Sequence, residues 1–243
     1  MCLCRSLRGN GFFAALKRRL CDVSFSAHLR EKTDPIWQAI FHHPFPRGMQ
    51  DDTLPERKFR YWLQQDYLYL KDYARMFALG AAKARDLETM RWFAKLFDGI
   101  VSFEMDGHRR YAKRFGVSEA ELEAGEMAPT CRAYTRELLY TAHDGSLGEL
   151  VASLLPCLAG YAETADYLAS LGMPQNPFYR EWIETYISDE FKALGNYCAG
   201  LLDRLADGAK AEDLAVWEDR YTASARFELL FWQMCWDEET WPV

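Results

Sequence analysis

Apolar side chains recur every three to four positions along almost the whole chain after Asp22, and few stretches alternate as strands do. That period puts one apolar stripe on each of a series of helices. It predicts a first helix over 24–43, with Asp34-Pro35 as an internal start, because proline is pre-organised for a first turn. The proline-rich stretch 44–55 reads as turns. Long helices follow over 56–84 and 87–115, the second stopped by Gly116. Ser118 with Glu121 has the spacing of a capping box for a short helix. Pro129 opens a helix over 129–143, which Asp144-Gly145 closes. Ser146 with Glu149 caps the helix that carries Cys157. Asn176-Pro177 opens another, Ser188-Asp189 breaks it, and a last long helix covers 211–237. The result is an all-α chain of roughly seven to nine helices. Short connections make neighbouring helices antiparallel, as in a bundle.

Composition narrows the class. The chain has 243 residues, enough for a sizeable core, and 23–243 reads as one domain. Residues 1–22 differ: Arg5, Arg8, Lys17, Arg18 and Arg19 occur with no acid before Asp22. They read as a basic, disordered extension or an upstream start, with an organelle transit peptide as the alternative. No apolar region with a small-residue cleavage site is visible there, so secretion is not predicted. With 29 basic against 36 acidic side chains, the net charge is −7. That balance argues against a nucleic-acid surface, which needs a basic stripe. The weakly polar run 150–162 is far short of the ~20 residues that cross a bilayer, so no membrane span is expected. Seven cysteines, an odd number with no C-x-x-C pair, do not form a disulfide framework. They point to a reducing compartment, and hence to the cytoplasm.

Three residues stand out chemically. Cys157 follows Pro156 in a long apolar helical stretch. An interior proline removes a backbone donor and kinks a helix, and a thiol at a kink can face a cavity. The alternative is an inert buried cysteine acting as a small hydrophobe. Ser153 and Gly160 share its face and are small enough to leave space. Asp66 shares a helix face with Trp62, Tyr69 and Tyr73. A carboxylate there must be paired or protonated, and a structural bond to a tyrosine or a helix end is the plain alternative. Glu228 precedes Leu229-Leu230-Phe231-Trp232, with Tyr221, Ser224 and Ala225 on its face. A core Glu paired with an arginine is its plain alternative.

Metal chemistry finds no support. Zinc spacings of Cys and His are missing. Di-metal bundles use Glu-x-x-His, yet Phe25, Ala39, Ile40, Met105 and Tyr140 stand three before the five histidines. His42 and His43 read as capping the end of the first helix. No metal and no cofactor are expected.

An ordered set of short strings then carries a resemblance. It runs His43-Pro44-Phe45, Gly48, Thr53-Leu54-Pro55, Gln65-Asp66 with Tyr69-Leu70, and Pro129-Thr130 with Tyr134-Thr135. It continues through Leu155-Pro156-Cys157 with Tyr161, Pro177-x-Tyr179-x-x-Trp182-Ile183-x-Thr185-Tyr186, and Phe227-Glu228-Leu229-Leu230-Phe231-Trp232. The set resembles the TenA/thiaminase II family, in the branch with a catalytic cysteine, over nearly all of 23–237. The resemblance implies a heme-oxygenase-like multi-helix bundle. It implies hydrolysis of 4-amino-5-aminomethyl-2-methylpyrimidine to the hydroxymethylpyrimidine, and of thiamin to pyrimidine and thiazole, in thiamin salvage. It implies a homotetramer. Cys157 resembles the family nucleophile, Glu228 the acid/base and Asp66 the carboxylate that anchors the pyrimidine. Tyr69, Tyr134, Tyr161, Tyr186 and Phe231 match positions that line the ring or bond to it. Arg132 stands where an aromatic can occur, and is expected to alter the pocket edge or a neighbouring packing layer. The chain departs from the family pattern at 1–21. Two other readings use the same bundle: a non-catalytic regulator that binds a ligand, and an oxidase of cofactor biosynthesis.

Overall fold

The structure is a computed structural model that describes residues 23–242. The basic segment 1–22, with Cys2, Cys4 and Cys21, lies outside the described residues. Those described form twelve α-helices and one π-helical segment, without a strand. In chain order they are α1 (Phe25–Lys32), α2 (Asp34–Phe41), α3 (Pro44–Gln50), α4 (Glu56–Lys83) and α5 (Leu87–Asp98). The π segment (Gly99–Glu104) leads into α6 (Met105–Arg114), α7 (Glu119–Glu123), α8 (Pro129–Asp144) and α9 (Leu147–Leu171). The chain ends with α10 (Pro177–Tyr186), α11 (Asp189–Ala206) and α12 (Ala211–Asp237).

The predicted caps form where the spacing put them. Ser118 with Glu121, and Ser146 with Glu149, make reciprocal capping boxes. Asn176 and Ser188 accept from the first-turn amides of Phe178 and Phe191. Three predictions need correction. The 24–43 helix is two helices meeting at Thr33, which ends α1 and starts α2. The Thr33 hydroxyl donates to the Leu29 carbonyl at 2.9 Å and accepts from the Trp37 indole at 3.1 Å. The stretch 44–55 begins with α3 instead of turns. Pro44 and Pro46 sit in its first turn, where a missing N–H costs nothing. His43 Nδ1 accepts from the Phe45 amide, so His43 starts α3, while His42 closes α2 through the Gln38 carbonyl. Finally, 87–115 is interrupted by the π segment. Buried positions there run Trp92, Leu96, Ile100, Met105 and His108, so one step is five residues long. A π turn absorbs the extra residue and swings α6 so that His108 faces inward.

Helix α9 is the centre of the bundle, packed against α12, α11, α10 and α8, while α4 packs on α5 and α8. Pro156 lies inside α9, and the helix continues through it. Two carbonyls of this turn accept from side chains of other helices: Leu154 from the Tyr73 hydroxyl at 3.2 Å, and Ser153 from Ser224 at 2.8 Å. Gly160 leaves no room for a ligand. The Trp37 ring fills its space, and a Cβ there would lie 2.3 Å from that ring. Among the described residues, no helix is long and apolar enough to cross a membrane.

Candidate active site

A cavity of about 460 Å³ opens between α4, the π segment, α6, α9 and α10. Asp66, Tyr69, Cys157, Tyr161 and Tyr186 line it. Tyr73, Trp62, Trp182, Glu104 and His108 line it too. Most of its wall is aromatic and apolar, with a few polar groups aimed inward, which is the usual make-up of a small-molecule site. Four buried polar atoms of this wall have no hydrogen-bond partner among the described residues: the Tyr69 and Tyr111 hydroxyls and the indole nitrogens of Trp62 and Trp182. Buried donors are almost always paired, so these are the atoms of the wall to which polar edges of a ligand can bond.

Cys157 is half-buried on α9, one residue past the proline turn. Burial raises its thiol well above the ordinary value, and nearby Glu228 adds to this, while the Tyr69 and Tyr73 hydroxyls oppose it. The thiol is therefore protonated until a base takes its proton. Glu228, on α12, is that neighbour. It is only 4% exposed and has no arginine partner among the described residues. Burial pushes its carboxyl up to about 7, against the pull of the Tyr134 hydroxyl and the Cys157 thiol. A carboxyl poised near neutrality can both take and give a proton.

Glu228, Tyr134 and Phe231 do not line the open cavity. They form a layer behind it. Phe231 meets Tyr69 edge-on at 5.7 Å, and Tyr134 packs on Tyr69 at 5.2 Å. Tyr134 lies 2.6 Å from Glu228 Oε1 and 2.9 Å from Ser224 Oγ. Tyr134 and Phe231 therefore back Tyr69 and do not themselves reach the open cavity. Arg132 is exposed and outside the cavity lining, so it does not edge the pocket.

Asp66 has a partner that the sequence reading did not identify. His108 Nε2 lies 2.7 Å from Asp66 Oδ2, and both side chains are buried. His108 Nδ1 faces the Glu104 carbonyl at 3.0 Å, an atom that can only accept. Nδ1 therefore carries a proton, and one further proton is shared between Nε2 and Asp66 Oδ2. Burial alone would lower the His108 pKa, but the bond and charge of Asp66 outweigh it and raise it. Asp66 Oδ2 is taken by His108, so Oδ1 is the oxygen left for a ligand. Glu104, at the end of the π segment, is a further carboxyl on the wall, pushed up to about 7 by burial. Nothing in the local sequence marks His108 or Glu104. Only the five-residue step in the apolar pattern hints that their turn is unusual.

Comparison with known proteins places this architecture. Residues 30–238 match the profile of the TENA/THI-4/PQQC family. The aminopyrimidine aminohydrolase of Halalkalibacterium halodurans is 46% identical over 220 residues, covering 90% of this chain and 98% of the relative. Among solved structures, the TenA homologue protein from P. horikoshii OT3 superposes with a TM-score of 0.80 at 29% identity, covering 88% of this chain and 99% of that one. A Shewanella denitrificans domain with a heme-oxygenase-like fold superposes with a TM-score of 0.70 at 13% identity, covering 87% and 92%, which supports the fold alone.

Proposed function

The chain belongs to the TENA/THI-4/PQQC family, and from that premise we propose that it is an aminopyrimidine aminohydrolase of thiamin salvage. The observation that carries this reading is the meeting of Cys157 and the Asp66–His108 pair on one aromatic-walled cavity, with Glu228 directly behind it beside Cys157. A 4-aminopyrimidine is a flat, electron-poor ring with donor and acceptor edges. Aromatic faces stack on it, and Asp66 Oδ1 accepts from its amine. In our reading, ionised Glu228 takes the Cys157 proton, and the thiolate adds to the ring. The ring electrons then expel the amine from the exocyclic methylene, and Glu228 hands it the proton. Water adds to the methylene and returns a proton through Glu228, and the thiol leaves as the ring becomes aromatic again. Aminomethylpyrimidine and water become hydroxymethylpyrimidine and ammonia, and covalent addition splits one hard step into easier ones. Thiamin fits the same scheme except that its cationic thiazolium leaves as neutral thiazole, which takes no proton from Glu228, so the proton from water is released.

No step needs a metal, in keeping with the missing Glu-x-x-His pairs. A cytoplasmic setting suits the free thiols of Cys131, Cys157, Cys198 and Cys235. We read the assembly as a homotetramer with each site inside one subunit. Leu87, Met90, Ala94 and Phe97 form an exposed apolar stripe along α5, continued by Val101. Two such faces packed antiparallel bring Arg91 of one copy opposite Asp98 of the other. That supplies one of the contacts a symmetric tetramer requires.

Mass spectrometry of the products from aminomethylpyrimidine and from thiamin tests the activity, with wild type and Cys157→Ala side by side. The wild type releases hydroxymethylpyrimidine and the variant does not. No hydrolysis of either pyrimidine by wild type overturns the activity, and undiminished turnover in the variant overturns the role of Cys157.

A further inference from the structure

Behind the cavity runs a chain of three contacts: Glu228 Oε1 to the Tyr134 hydroxyl at 2.6 Å, Tyr134 to Ser224 Oγ at 2.9 Å, and Ser224 to the Ser153 carbonyl at 2.8 Å. All four residues are buried, so water does not fill in for a missing partner. The protons of this chain can be counted. A backbone carbonyl only accepts, and a hydroxyl has one proton to donate. Ser224 commits its proton to Ser153. The Tyr134–Ser224 contact is then a hydrogen bond only if Tyr134 donates to Ser224. With that proton spent, the Glu228–Tyr134 contact is a hydrogen bond only if Glu228 is protonated on Oε1. One arrangement therefore satisfies all three contacts, and it holds Glu228 in its acid form. When Glu228 ionises, Tyr134 must turn its proton to the carboxylate. Ser224 then either faces Tyr134 lone pair to lone pair or deserts the Ser153 carbonyl.

We propose that Ser224 is a positioning residue for Glu228: anchored on the Ser153 carbonyl, it competes for the Tyr134 proton and so favours the protonated carboxyl. The other titratable groups facing Glu228 are Asp66 and Tyr69 from α4, Tyr134 from α8, and Cys157 and Tyr161 from α9. None of them bonds to Ser224 except Tyr134, so the effect of Ser224 must pass through that hydroxyl. The anchor lies in the turn of α9 that Pro156 interrupts. The residues that present Cys157 thus also set the proton on Glu228. The assignment of Glu228 as acid/base rests on the function proposed above, whereas its protonation is measurable without any turnover.

The test is an infrared pH titration of the protonated-carboxyl band that is missing in Glu228→Gln. In Ser224→Ala, Tyr134 is free to donate to the carboxylate at all times. The proton affinity of Glu228 then falls by about tenfold, one pH unit, the scale of one hydrogen bond. In a Tyr134→Phe background the same Ser224→Ala change leaves the midpoint where it was. Ser224→Thr, which keeps the hydroxyl, retains the wild-type midpoint. If the alanine variant does not fold, Ser224→Cys, a weak donor and acceptor, shifts the midpoint in the same direction. An unmoved or raised midpoint in the folded Ala or Cys variant overturns the proposal, as does an equal shift in the Tyr134→Phe background. Loss of turnover with an unmoved midpoint counts against the proposal and leaves the enzymatic reading standing. A shifted midpoint in a protein that hydrolyses no pyrimidine does the reverse.

Discussion

Replacing Glu228 by Gln makes the protein more stable at alkaline pH, and by a predictable amount. The folded carboxyl titrates at about 7 because it is buried, against an ordinary 4.5. The folded state therefore holds this proton more tightly than the unfolded chain does. Below about pH 4.5 the carboxyl is protonated in both states and costs nothing. As pH rises from there towards 7, unfolding increasingly releases the proton, and stability falls. Once the group is ionised in both states, the loss amounts to about 3 kcal/mol. Gln keeps the shape, and its amide can donate to Tyr134 as the protonated carboxyl does, but it carries no charge. Wild type and Glu228→Gln should therefore match near pH 4 and diverge by about 3 kcal/mol near pH 8, with Gln the more stable. For a chain of this size that is about 6–12 °C in melting temperature. Urea unfolding at the two pH values measures it. Equal stability near pH 8, or a less stable Gln variant there, refutes the view that this carboxyl is held against a desolvation cost. The same variant lowers kcat by roughly 10²–10⁴ while KM moves little, so catalysis and stability trade against each other at one residue.

Further outcomes follow from other parts of the site and the fold. Asp66→Asn weakens binding of the hydroxymethylpyrimidine product by about 1.5–3 kcal/mol in calorimetry, the scale of a charged hydrogen bond; unchanged affinity would mean that Asp66 does not hold the ring. Gly160→Ala drives a methyl into Trp37 and destabilises by about 1–3 kcal/mol in thermal melts, whereas a stabilised variant would show that the ring can give way. Arg91→Asp and Asp98→Arg each weaken assembly in light scattering, and the double swap restores it; a stable wild-type monomer at micromolar concentration rejects the tetramer. Chelators leave turnover unchanged, and a loss restored by iron would favour the oxidase reading.

Much of this protein was legible one segment at a time. Helix starts at Ser118, Ser146, Asn176 and Ser188 depend on residues two or three apart, so the local sequence contains the whole physics of the cap. The long helices α4, α9 and α12 follow from the three-to-four period. Cys157 after Pro156, and Asp66 among aromatics, announced themselves by being out of keeping with their neighbours. The π segment was less visible, because a five-residue step in burial looks like noise until the flanking helices are in place. Tertiary structure alone decided the rest. His108 meets Asp66 across 42 residues, and no local pattern encodes which histidine turns inward. The small faces near Cys157 promised space, but Trp37 takes the room at Gly160, and the cavity runs instead along Cys157, Leu158 and Tyr161 towards α10 and the π segment. Glu228 was readable as an unusual carboxylate. Its Tyr134–Ser224–Ser153 anchorage and its proton near neutrality come from burial and from contacts among three helices. Sequence period dictates which face of each helix is apolar. Only the packing of those faces determines which polar groups are left in the dark together, and there their chemistry is set.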